Sequence, residues 1–143
     1  IITEFSKYAK MYAKEVLGWN GEAPKPRKFL QDIGVTIRDN MDMPNFFVDR
    51  MMQDMRVYEL YFDVVILADV RLPKEIDEFK KKYQNVYSIY VENQFSPSKL
   101  SMDEQMHITE TALENYDNFD IMIANDDLNT LDNKVIRFIE SEK

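Results

Sequence analysis

Cysteine is absent from the 143 residues, which excludes disulfides, thiolate metal sites and cysteine nucleophiles together. Such a chain suits a reducing compartment, so a cytoplasmic location is the expectation. Glycine (3) and proline (5) are scarce, too scarce for collagen-like or low-complexity chains. The one histidine, His107, leaves a zinc site without enough ligands. No G-x-S-x-G turn accompanies it, so serine-nucleophile catalysis has no support. No apolar run approaches the ~18 residues of a membrane span; the longest lies around Val64-Val65-Ile66-Leu67-Ala68. No signal peptide is expected in residues that carry Glu4, Lys7 and Lys10 so early. Positive charge is in the minority as well, with 18 Lys+Arg against 26 Asp+Glu and a net charge of −8. That balance opposes duplex nucleic-acid binding, where neutralising phosphates supplies much of the affinity. Locally grouped arginines can still hold a small anion.

What is present is core material. Apolar residues make up 45% and aromatics 13%, enough for one domain with a real core and too much for a disordered chain. Residues 4–17 place Phe5, Tyr8, Ala9, Tyr12, Ala13 and Val16 at helical spacing, with Gly18 as a stop. Further helices are expected from Pro26 to Gly34, as a short helix or turn over Thr36–Asn40, and through the NFFVDRMMQDMRVYE segment with Phe47, Met51, Met52 and Met55 inward. From residue 62 the pattern changes. FDVVILAD reads as a strand buried on both faces, VYSIYV (86–91) as a second and DIMIAN (120–125) as a third. Between and after them lie helices over PKEIDEFKKKYQ, from about Met102 to Tyr116, and over LDNKVIRFIESE. Alternating strands and helices imply parallel pairing, hence an α/β fold: a three-layer, doubly wound sheet with helices on both faces. Three strands are thin for such a sheet. The chain also opens Ile1-Ile2 rather than with Met, so a first strand is expected ahead of residue 1.

Ligands of doubly wound sheets collect at the carboxyl ends of strands. There the sequence places Asp69 and Arg71, then Glu92 and Asn93, then Asn125 and Asp126. A carboxylate at the strand tip suits hydrated Mg²⁺, and an arginine two residues on suits phosphate. The plainer reading makes Asp69 a turn cap with Arg71 as its ion-pair partner. Arg27 and Gln31 are four apart on one helix face, and Arg38 follows Gly34, a set able to grip an anionic, hydrogen-bonding substrate or simply to face solvent. Lys7 invites the same two readings. His107 and Glu110 are one helical turn apart, and a hydrogen bond between them would fix a helix beside the site. The methionines read as core filler, although a homodimer through the helix at residues 45–57 is conceivable. The polar segment 92–103 is expected to be mobile and to cover substrate.

In order, these segments resemble the P-loop deoxynucleoside monophosphate kinases of phage and prophage type, and the related animal phosphomevalonate kinases. RKFLQDIGVTIRD is similar to that family's Arg-x-x-Leu-Gln-x-x-Gly…Arg element, and VVILADVRLPKE to its Asp-x-Arg followed by Asn/Lys-Glu, with Glu75 last. HITE resembles its His-x-Ser-Glu, and DIMIANDDLNTL its Asp-x-x-Ile-x-Asn-Asp-Gly…Leu ending. The resemblance implies a single nucleotide-kinase-like domain over residues 1–143, transferring a phosphoryl group from ATP, with Mg²⁺, to a (deoxy)nucleoside monophosphate. It places Lys7, Arg27, Gln31 and Arg38 around the acceptor, Asp69 near metal and phosphates, and Arg71 near the transferring group. His107, Glu110 and Glu75 would organise the surroundings. The G-x-x-x-x-G-K-[ST] loop does not occur in the 143 residues, Glu92 stands where the family has a basic residue, and no arginine lies between Arg71 and Arg137, leaving Lys99 as the candidate cation of the lid segment in place of the family's lid arginines. Asp127 replaces the expected glycine. These departures motivate two alternatives: a catalytically silent binding or assembly module, and a kinase for a non-nucleotide phosphate ester.

Overall fold

The computed structural model describes residues 1–93, 101–125 and 128–141. Strand β1 (Ile2–Thr3) is followed by α1 (Ser6–Leu17), α2 (Arg27–Val35) and α3 (Phe46–Tyr58). Strand β2 (Ile66–Leu67) precedes α4 (Pro73–Lys82), and β3 (Ile89–Asn93) precedes two short turns, α5 (Met102–Gln105) and α6 (Ile108–Thr111). Strand β4 (Ile121–Asn125) and α7 (Leu128–Ser141) close the chain. All pairing is parallel. β1 pairs with β2 in the register Ile2↔Ile66, and β3 with β4 from Ile89↔Ile121 to Asn93↔Asn125.

The α/β class and the parallel pairing stand, while the described residues do not assemble one wound sheet. Among the described residues the strands form two separate two-stranded sheets. The strand expected over residues 62–69 shrinks to Ile66–Leu67, and it is not buried on both faces, since Val64 and Ile66 are 64% and 50% exposed. Its one ladder neighbour is β1, so only one edge of the run is hydrogen-bonded. The strand paired beside it lies at Ile2–Thr3. The second expected strand begins later, at Ile89, while the third matches.

The helices follow their apolar spacing. Gly18 ends α1 in the left-handed region (φ 69°), as the glycine at that position predicts. Thr36–Asn40 forms a single π-helical turn directly after α2, a wider coil often found at functional sites. The expected helix over 102–116 is instead broken in two. Ser101 caps α5 and exchanges hydrogen bonds with Glu104, and His107 then starts α6 by accepting from the Thr109 amide. A side chain that caps cannot also continue the preceding helix.

The core joins α1, α3 and α4: Phe5, Tyr8, Val48, Met51 and Phe79 are buried together, with Phe47, Met52 and Met55 packed against them. The methionine face of α3 is therefore occupied inside the chain. Phe5 meets Phe79 edge to face at 5.9 Å, fixing the start of α1 against α4. The β3–β4 pair is tethered to the same helix, because Lys80 reaches both Asp120 (2.8 Å) and the Asn118 carbonyl (2.9 Å). No helix among the described residues is long and apolar enough to cross a membrane.

Candidate active site

Past the carboxyl end of β2, the chain uses its polar residues as structural anchors before any chemistry. Helix α1 begins without a side-chain cap of its own. Asp69 supplies one from outside, its two carboxylate oxygens accepting the Phe5 and Ser6 amides at 2.6 and 2.9 Å. A carboxylate at a helix N-terminus satisfies orphan donors and the helix dipole together. Glu75 does the same at α4: it accepts from the Arg71 and Leu72 amides at 2.8 and 3.0 Å while almost fully buried. Burial raises its carboxyl pKa, against the opposing pull of those two amides.

With both ends fixed, a cleft of about 220 Å³ forms between α1, α2 and the segment after β2. Arg27, Gln31, Arg38, Asp69, Arg71, Glu75 and Glu110 all line it. Residues from three stretches of sequence thus meet in one place. The side chains of Arg27, Gln31 and Arg38 form no hydrogen bond or ion pair among the described residues. Arg38 lies over Gly34, where an added Cβ would sit 3.1 Å from its guanidinium. Arg71 is 43% exposed at its side chain, so it is reachable, and Glu110 holds its guanidinium in an ion pair, with the Thr109 carbonyl 3.5 Å away.

Two expected pairings change here. Arg71 pairs with Glu110, not with Asp69. Glu110 is therefore turned to Arg71 rather than to His107, whose Nδ1 lies 2.8 Å from Thr109 Oγ1. Lys7 does not line the cleft; it pairs with Asp54 and donates to Tyr58 at 2.7 Å. Burial opposes its charge, but those two partners outweigh it and raise the ammonium pKa. Sequence reasoning missed Lys25, which lines the cleft and whose ammonium is pushed down by burial and by the charges of Lys10, Arg27 and Arg71. The signal available for it was the cation pair flanking Pro26. The segment 92–103 lies outside the described residues for most of its length, as do Lys99, Asp126 and Asp127.

A metal held by the protein does not fit these residues. No group of three or more His, Asp or Glu side chains converges among the described residues, and the oxygens of Asp69 and Glu75 already face backbone amides. The cleft is instead a nest of guanidinium donors, the planar fork that matches phosphate and carboxylate oxygens.

Fold and cleft together define an α/β protein with a guanidinium-lined cleft beyond a strand end. The chain matches the family model for deoxynucleotide monophosphate kinase over residues 3–135. It belongs to the deoxynucleotide monophosphate kinase family. No curated protein and no solved structure matches it significantly.

Proposed function

We propose that the protein phosphorylates a (deoxy)nucleoside monophosphate, with the acceptor's phosphate seated in the cleft between Arg27, Arg38 and Arg71 and metal-bound ATP as donor. The observation that carries this reading is the convergence of Arg27, Gln31 and Arg38 with the reachable Arg71 in one cleft, in a chain of this family. Grouped guanidinium ions repel one another and form a local cationic patch on a chain whose net charge is −8, and a dianionic phosphate ester is the ligand that such a patch favours.

In this account an oxygen of the acceptor's phosphate attacks the γ-phosphorus of ATP. The bond from that phosphorus to the β-bridging oxygen breaks, ADP leaves, and the acceptor becomes the diphosphate. There is little covalent work for the protein, so catalysis is positioning and charge stabilisation. Arg27 and Arg38 hold the acceptor, Gln31 adds a neutral donor and acceptor, and Arg71 meets the charge on the transferring group. Glu110 is a positioning residue that aims Arg71. Asp69 and Glu75 fix the backbone on which Arg71 stands. The wound three-layer sheet of P-loop kinases is the architecture we assign to the complete fold. A phosphate ester without a base would use the same guanidinium donors, so the acceptor class is decided by assay.

The test is ADP release by the full-length polypeptide with Mg²⁺-ATP and a panel of deoxynucleoside monophosphates, nucleoside monophosphates and base-free phosphate esters. Acceptor-dependent ADP is expected with the deoxynucleotides. Arg71→Ala should lower kcat by about 10²–10³-fold, as removal of one preorganised charge donor does. Turnover with base-free esters only, or turnover indifferent to Arg71→Ala, contradicts the reading.

A further inference from the structure

A second and larger cavity, of about 670 Å³, adjoins the phosphate cleft. One face of α1 lines it with Lys7, Lys10 and Lys14, and the loop after α1 lines it with Trp19 and Gly21. The two cavities share Glu4 and Lys25. Lys25 is also within reach of the charges of Lys10, Arg27 and Arg71, so the two cavities border one another at Glu4 and Lys25.

Trp19 is held in place. Its indole N–H donates to the Glu22 carbonyl at 2.6 Å, and the Glu22 amide donates to Asn20 Oδ1 at 2.9 Å. The loop needs Gly21 to close, since its φ of +95° is a conformation that other residues rarely adopt. With the ring's one donor engaged, what Trp19 adds to the cavity lining is aromatic surface. An aromatic plate joined to a phosphate-sized cationic cleft is the pair of surfaces a nucleotide presents in mirror image: a π-face for the base and donors for the phosphate.

We propose that this cavity receives the nucleoside of the acceptor, with its base stacked on Trp19, while the phosphate occupies the neighbouring cleft. The inference rests on the acceptor reading above and adds the base-binding residue to it. The cavity lines its entrance from the cleft with Lys25, which places that lysine beside the sugar–phosphate junction.

Trp19 is the sole tryptophan of the chain, so its fluorescence reports the cavity directly. Deoxynucleoside monophosphates are expected to quench it saturably. Deoxyribose 5-phosphate, which has the phosphate and no base, should give heat in calorimetry and leave the emission in place. Trp19→Ala should weaken the monophosphates roughly tenfold, the effect of one lost base stack, and leave deoxyribose 5-phosphate binding unchanged, which also shows that the variant is folded. Trp19→Phe should restore most of the loss. Heat from the monophosphates without quenching, quenching by ADP alone, or a Trp19→Ala variant that binds monophosphates as tightly as the parent overturns the inference while the acceptor reading stands. No heat from any monophosphate or from deoxyribose 5-phosphate overturns both.

Discussion

Arg38 owes its position to the residue beneath it. Gly34 is buried in the last turn of α2, and the π-helical turn that follows brings the Arg38 guanidinium back over it. An added methyl would meet the guanidinium at 3.1 Å, a contact relieved by moving the far end of a flexible side chain. Gly34→Ala should therefore leave stability unchanged or raise it by up to about 1 kcal/mol, the helix-propensity gain of alanine. It should nonetheless weaken binding of the phosphate acceptor severalfold, because the arginine shifts. Thermal melts and calorimetry on the same variant check the split; parallel loss of stability and affinity would contradict it. Residue identities in this site were readable before the fold, since Arg27, Gln31, Arg38 and Arg71 stand in recognisable order. Their partners were not. Nothing in the spacing of Asp69 and Arg71 indicates that the first caps a helix 64 residues upstream while the second turns to Glu110. Both pairings depend on which segments the fold brings together.

Among elements, the core helices were legible and the two shortest strands were not, for a physical reason. The apolar stripes of α1, α3 and α4 face one core, so a period of 3.6 residues survives in the sequence. β1 and β2 are two residues long, too short to carry any period, and their exposed faces remove the burial signal. The longer β3–β4 pair is anchored at its start by Asp120, which accepts from the Ser88 amide and hydroxyl, both at 2.7 Å, and from Lys80. Burial works against this carboxylate, but the Lys80 and Ser88 hydrogen bonds outweigh it and hold its pKa down to about 2, from an ordinary 3.8. A depressed carboxyl stabilises the fold above the ordinary value and loses that contribution as pH falls through the depressed one. Asp120 should thus support the tether down to about pH 3.8 and release it progressively toward about pH 2. Carboxyl chemical shifts of Asp120 followed by NMR would show the low midpoint. A midpoint at the ordinary value, or no change on Lys80→Ala, would mean that the tether is not formed in solution.

For the whole molecule, one core carries both the fold and the site. Met51 is fully buried between α1 and α4 partners, and Phe5, in the same cluster, is the residue whose amide Asp69 holds. Met51→Ala should lower unfolding free energy by about 2–5 kcal/mol, the range for truncating a buried large side chain, measurable by denaturant titration; a loss under about 1 kcal/mol would place that methionine at a surface rather than in the core. Parallel α/β class, single core and the grouping of the arginines followed from pattern and order. The division into two small sheets did not, because periodicity locates strands without stating which of them touch. The central claim is that the guanidinium cleft receives the phosphate of the acceptor. Calorimetric titration with deoxynucleoside monophosphates, beside the matching nucleosides, tests it most directly. The account predicts saturable heat from the monophosphates, weak or absent heat from the nucleosides, and loss of the monophosphate signal in Arg27→Ala and Arg38→Ala. Equal binding of nucleoside and monophosphate, or monophosphate binding untouched by both arginine variants, would contradict it.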